Sequence, residues 1–202
     1  MMLVEMEFIE YRPRAGKVVA DAYGAAIGEG KAPGTLAGFW SVDVGLLNSA
    51  VALWTYDDQT QEELARRAAN AWPPALDGVV IATNSLLLEP ARFNEPLVPG
   101  AYGAFYEIRI YDYETGSVAT VIDRWADMVE ARTQLSRLTG CFAGNDGVVD
   151  KWVHIWPYAD GAERDFARTE AASRGIWPPE TGEWLLHQEN MIVIPTAFSP
   201  LH

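Results

Sequence analysis

Ser49 to Arg66, SAVALWTYDDQTQEELAR, and Lys151 to Arg168, KWVHIWPYADGAERDFAR, are two versions of one segment. Val51, Trp54, Tyr56, Asp58 and Arg66 return 102 positions later as Val153, Trp156, Tyr158, Asp160 and Arg168. The match extends both ways. Glu7, Tyr11, Gly16 and Val18 return at a spacing of 100 as Glu107, Tyr111, Gly116 and Val118, while Trp72, Pro73, Pro74, Pro90 and Phe93 return at 105 as Trp177, Pro178, Pro179, Pro195 and Phe198. A drift from 100 to 105 needs only small loop insertions, so the register survives the whole chain. The fold must therefore be one that about 100 residues can build and then build again, a size that suffices for a core. The boundaries expected from the repeat are 1–95 and 105–202, joined by a linker at 96–104 rich in proline and glycine.

Within each copy the hydrophobic period changes in the same order. Val4 to Tyr11 alternates as a strand does, and helical spacing follows through Val18, Val19, Ala22, Tyr23, Ala26 and Ile27. Leu36 to Val44 and Ser49 to Tyr56 read as strands, Gln59 to Ala71 as a helix, and Val79 to Leu88 as a last strand. The second copy restarts with Tyr106 to Gly116. Val118, Val121, Ile122, Trp125, Val129, Arg132 and Leu135 then share one helical stripe. After the strand at Lys151 an Asp-Gly turn at Asp160 and Gly161 leads into a helix from Glu163 to about Ala172. The order is βαββαβ twice, a ferredoxin-like α+β arrangement. Such a unit covers one side of its sheet with helices and leaves the other open. The expectation is that the two open faces meet in one intramolecular, pseudo-dimeric α+β barrel.

Composition removes several function classes. A net charge of −13 opposes phosphate backbones and anionic membranes, so neither nucleic acid nor a membrane is an expected partner. With 49% apolar and 21% charged residues the chain has an ordinary globular balance, and no run of about 20 apolar residues spans a bilayer. Cys141 is the single cysteine and forms no internal disulfide. The N-terminal residues have no signal-like pattern, and a cytoplasmic location is expected. His154, His187 and His202 lie far apart, without metal-binding spacing, and no nucleotide-binding glycine motif occurs. No metal or other cofactor is expected, haem on His154 being the sole alternative that a lone histidine offers.

YEIRIYDYETG, VHIWPYADGAERDFAR, Trp177 and the ending QENMIVIPTAFSPL together resemble the NIPSNAP family, closely over Tyr106 to Leu201 and loosely over Met6 to Phe93. The resemblance implies the ferredoxin-like unit and its pairing into an α+β barrel, and it implies little about activity. The first copy departs where chemistry would lie. It has Ile9 for Arg109, Ala52 for His154, and Thr83, Asn84 and Ser85 for Gln188, Glu189 and Asn190.

The alternation along each strand sorts residues by face. Met6, Phe8, Tyr106, Ile108, Ile110, Val51, Leu53, Val153 and Ile155 are expected to face the helices. The other face, directed into the barrel, receives Glu7, Ile9, Tyr11, Ala50, Ala52 and Trp54 from the first copy and Glu107, Arg109, Tyr111, Trp152, His154 and Trp156 from the second. The alanines make that interior roomy, and the second copy makes it polar with aromatic walls, as small-molecule pockets are built. A small organic molecule is the expected partner, anionic or carrying a carbonyl or phenolic oxygen. Arg109, Glu107, His154 and Glu189 are the candidate catalytic groups, since a histidine near carboxylates titrates close to neutrality and can serve as a base. Tyr111, Trp152, Trp156, Tyr11, Trp54 and Asn190 are the candidate ligand contacts. Two functions compete: a cofactor-independent enzyme of monooxygenase, isomerase or lyase type, and a non-catalytic carrier, sensor or interaction module. A bland reading needs no ligand at all: Arg109 pairs with Glu107 or Glu189 to make a polar interior tolerable. A homo-oligomer of the pseudo-dimer is compatible with any of these.

Overall fold

The computed structural model describes residues 2–56, 72 and 76–202; the helix expected over Gln59–Ala71 lies outside them. In chain order the elements are β1 (Leu3–Tyr11), α1 (Gly16–Gly28), β2 (Thr35–Val44), β3 (Ser49–Tyr56), β4 (Val80–Pro90), β5 (Phe105–Tyr113), α2 (Val118–Ala126), α3 (Val129–Thr133), β6 (Gly140–Asn145), β7 (Asp150–Tyr158), α4 (Gly161–Ser173) and β8 (Leu185–Pro195). They belong to two compact units, one of residues 1–88, 98–101 and 193–202, the other of 89–97 and 102–192. Each unit carries an antiparallel sheet with the strand order of a ferredoxin-like fold, β4-β1-β3-β2 in the first and β8-β5-β7-β6 in the second.

In unit 1, Val19, Tyr23 and Ala26 of α1 pack on Ile9, Tyr11, Ala50, Ala52 and Trp54 of the sheet. Tyr23 meets Phe39 and Trp72 at ring distances of 5.2 Å each, so aromatic rings occupy the space left by the two alanines. The last residues of the chain finish this unit. Ser199 Oγ accepts from the Phe39 amide at 2.9 Å, Leu201 N donates to Ala37 O, and the Phe198 ring lies 5.0 Å from Phe39.

Unit 2 is built the same way. Val121 and Trp125 of α2 and Ala167 of α4 pack on Trp152, Trp156, Tyr113 and Tyr158. Residues after β4 finish it, through Ala91 N to Cys141 O and Cys141 N to Asn94 Oδ1. The stripe expected as one helix over 118–135 is two: Met128 N donates to Trp125 O, an i→i−3 turn, and α3 restarts one residue on. Asp150 anchors the start of α2 from β7, its Oδ2 accepting from Gly116 N and Val118 N. Gly116 sits there at φ +89°, which a side chain would resist. Asp160 is the N-cap of α4, with Oδ1 accepting from Glu163 N at 2.9 Å, so the expected Asp-Gly turn is the first turn of the helix.

The face assignment expected from the alternation is inverted. Ile9, Ala52 and Trp54 in unit 1, and Trp152, His154 and Trp156 in unit 2, face their unit's own helices. Val153, Ile155 and Ile108 point to the opposite face of the same sheet and are also fully buried. A period of two separates the faces of a strand without labelling them. Burial on both sides leaves no polar face to decide the matter, and volume decides it instead, since wide indoles fill the gap between sheet and helix.

Candidate functional site

In the antiparallel register of unit 2, Glu107 lies opposite Trp156, Arg109 opposite His154 and Tyr111 opposite Trp152. All six project to the helix-covered face, where α3 adds Arg132 and α4 adds Arg164 and Arg168. Between them is a cavity of about 260 Å³. Glu107, Arg109 and Tyr111 of β5, His154, Trp156 and Tyr158 of β7, Arg132, Arg168 and Trp177 are among the residues that line it.

Its electrostatics are lopsided. Glu107 is fully buried and held by four partners: Arg164 makes two bonds (Nη2 to Oε1 2.8 Å, Nε to Oε2 3.1 Å), Arg109 Nη1 donates at 3.0 Å and Asn190 Nδ2 at 3.4 Å, and Arg168 Nη1 stands 3.7 Å away. Burial pushes the Glu107 carboxyl up, but the Arg164 bonds and the charges of Arg109, Arg164 and Arg168 outweigh it, so its pKa ends below the ordinary value. Arg109 Nε also donates to Tyr111 Oη at 2.8 Å, which leaves the Tyr111 proton available. The lining then holds three guanidinium groups and one carboxylate in a protein whose net charge is −13.

Arg132 is the least compensated of the three. It is 2% exposed and has no carboxylate within ion-pair distance among the described residues. Nη1 donates to Ser136 Oγ at 2.7 Å, Nη2 reaches Tyr158 Oη at 3.5 Å, and the buried Nε has no acceptor. The guanidinium lies over the Trp156 ring at 4.4 Å. The Trp156 indole N–H donates to His154 Nδ1 at 2.6 Å, fixing the proton of a neutral imidazole on Nε2, which is buried and unpartnered. Burial, then the charges of Arg109, Arg132 and Arg168, drives the His154 pKa well below its ordinary value.

Several expectations change here. His154 does not titrate near neutrality, because its neighbours are arginines rather than free carboxylates and its Nδ1 lone pair is occupied; it is a donor, not a base. Glu189 does not join the site. It is exposed beside His187 at 3.2 Å, while Gln188 and Asn190, its neighbours in the strand, reach the site. Trp152 is near but does not line the cavity, packing against Trp125 at 5.1 Å and Phe93 at 6.3 Å. Tyr11 and Trp54 belong to unit 1, where their polar atoms bond to Ser49 O and to Glu7. Arg109, Glu107, Tyr111, Trp156 and Asn190 do come together. Arg132, Arg164, Arg168 and Tyr158 went unassigned in the sequence. For Arg132 a signal existed, a charge on the apolar stripe of a helix, and the expected pairing of helix face with core hid it. Trp177, noted in the sequence as a repeat of Trp72, is also a cavity wall.

The NIPSNAP family model matches residues 6–91 and 106–200, one copy in each half. Protein NipSnap homolog 3A of Homo sapiens is 27% identical over 184 residues, covering 82% of this chain and 72% of that protein. An anthrone oxidase-like protein of known structure aligns at a TM-score of 0.60 with 11% identity, covering 98% of this chain and 93% of that one. A proposed monooxygenase from Lactobacillus acidophilus NCFM aligns at 0.63 with 9% identity, covering 96% and 93%. Identities so low speak for a common fold alone. The family match spans most of the chain and both of its copies, and the protein belongs to the NIPSNAP family.

Proposed function

We propose that unit 2 binds a small organic anion in the cavity between its sheet and its helices. The observation that carries this reading is Arg132, a buried guanidinium with no carboxylate partner among the described residues, on the wall of a cavity that already holds two further arginines. Burying a charge without a counter-ion costs several kcal/mol, and a bound anion offsets that cost. Arg109 and Arg168 would share the ligand's charge with Glu107, and Trp156, Trp177, Tyr111 and Tyr158 supply apolar walls.

Between an enzyme and a carrier, the chemistry favours binding without proton abstraction. Glu107 is held ionised by arginines, His154 has its lone pair engaged, and Glu189 stands apart. A catalytic role would rest on stabilising an oxyanion with Arg109, Tyr111 and Arg132, for a substrate already acidic. Thermal unfolding at pH 7.5 in the presence of acetate, benzoate, phenolate-forming nitrophenol, inorganic phosphate and their neutral amide or ester counterparts tests the reading. At least one anion should raise Tm saturably while its neutral counterpart does not, and Arg109→Met should weaken the effect at least tenfold, about 1.4 kcal/mol. A flat response to every anion in the set would refute it.

A further inference from the structure

From Arg132, His154 and Trp156 we infer that the ligand is a flat aromatic carboxylic acid, its carboxylate seated on Arg132 and its ring lying against Trp156 and Trp177. This rests on the anion reading above and names the ligand class. Two donors on the lining are orphaned, Arg132 Nε–H and His154 Nε2–H, each belonging to a side chain 2% exposed. Both are set by the same indole: Arg132 lies over the Trp156 ring, and His154 is held by the Trp156 N–H. Guanidinium groups bind carboxylates best through two parallel N–H donors. In Arg132 the pair Nη1 is committed to Ser136, whereas Nε is empty and its neighbour Nη2 has only a long contact to Tyr158. The Nε/Nη2 edge is therefore the one with hydrogen bonds left to make in a two-point contact.

A two-point contact makes the carboxylate coplanar with the guanidinium. When the acid is conjugated to a ring, the ring stays in that plane too. A saturated carbon next to the carboxylate would carry the body of the ligand out of it. Trp177 stands 6.0 Å from Trp156 with the ring planes at 79°, so the walls present one indole face and one edge, a setting that suits an aromatic ring better than a chain. The cavity volume of about 260 Å³ is below the usual range for drug-sized ligands, which points to one or two rings. A planar carboxylate fills the Nε/Nη2 edge with both of its oxygens, whereas a phosphate turns a third oxygen away from that edge. The His154 N–H is then available to an oxygen of the ligand, either the carboxylate itself or a substituent beside it.

The test is titration calorimetry of the full chain at pH 7.5 with four probes: benzoate, cyclohexanecarboxylate, phenyl phosphate and acetate. Benzoate should bind at least about tenfold more tightly than each of the others. Arg132→Met should stay folded by circular dichroism and lose benzoate at least tenfold, and Arg132→Lys, which keeps the charge but not the fork, should lose nearly as much. Should Arg132→Met fail to fold, the lysine variant alone carries the test. Equal affinity for acetate, phenyl phosphate and benzoate would overturn the aromatic-acid assignment while leaving the anion site standing, and so would benzoate affinity unchanged in Arg132→Lys. If none of the four probes binds and the wider anion set is also silent, the site reading itself falls.

Discussion

Glu7 and Glu107 hold the same place in the two repeats, and their surroundings drive them in opposite directions. Glu107 is met by guanidinium groups and titrates below the ordinary value of 4.5. Among the described residues Glu7 accepts from Trp54 Nε1 at 2.9 Å, Trp72 Nε1 at 3.4 Å and Tyr23 Oη at 3.4 Å, bonds that do not cancel burial, so its pKa is raised. For Glu107 the folded value lies below the unfolded one; its contribution to stability is full above pH 4.5 and disappears as pH falls through the folded value. For Glu7 the folded state binds the proton more tightly, so stability is lost as pH rises from 4.5 through the folded value. Urea unfolding should separate them. Glu107→Gln, which leaves the partly buried Arg109 and Arg164 without their counter-ion, should cost about 2 kcal/mol at pH 7. Glu7→Gln should match the parent at pH 4 and gain on it as pH rises, by about 1.4 kcal/mol for each pH unit between the unfolded and folded values. A constant difference across pH would mean that Glu7 titrates normally. The sequence displayed the pair as an identity, Glu for Glu, and could not show that burial raises one pKa while arginines lower the other.

At the scale of elements, α4 links local sequence to the site. Asp160 caps it, Glu163 Oε2 returns to Ala159 N at 2.6 Å, and the same helix carries Arg164 and Arg168 to Glu107. Asp160→Ala should lower stability by about 1 kcal/mol and also weaken anion binding, since fraying the first turn loosens Arg164. A stability loss with binding untouched would show that the helix end and the site are uncoupled. This device was half legible: Asp-Gly is a turn signal in the sequence, and only the extended backbone of Asp160 together with its bond to Glu163 N makes it a cap. The strand β8 shows the other limit. From the sequence both Glu189 and Asn190 are expected at the site, but neighbours in a strand face opposite ways, and Asn190 is the one that meets Glu107.

Each unit, taken as a whole, is finished by a segment outside its own consecutive run, 193–202 in unit 1 and 89–97 in unit 2. A fragment of residues 1–95 lacks Phe198, Ser199 and Leu201, and with them the bonds to the Ala37 and Phe39 backbone. It should be less stable than the full chain, and Phe198→Ala in the intact protein, which removes a half-buried ring, should cost about 1–2 kcal/mol by urea unfolding. A fragment as stable as the parent would show the closing segment to be dispensable. Among the described residues no helix is long and apolar enough to cross a membrane. The sequence by itself determined the duplication, the βαββαβ order of the second copy, β1 to β4 to within a residue or two and the gathering of Glu107, Arg109 and Tyr111 on one strand face, because all of these follow from spacing and period along the chain. Tertiary structure alone decided that this face meets the helices, that Arg132 joins it from α3 with no carboxylate beside it among the described residues, and that His154 is a neutral donor. Those depend on distances across elements and on desolvation, which a residue acquires only from neighbours far away in the chain.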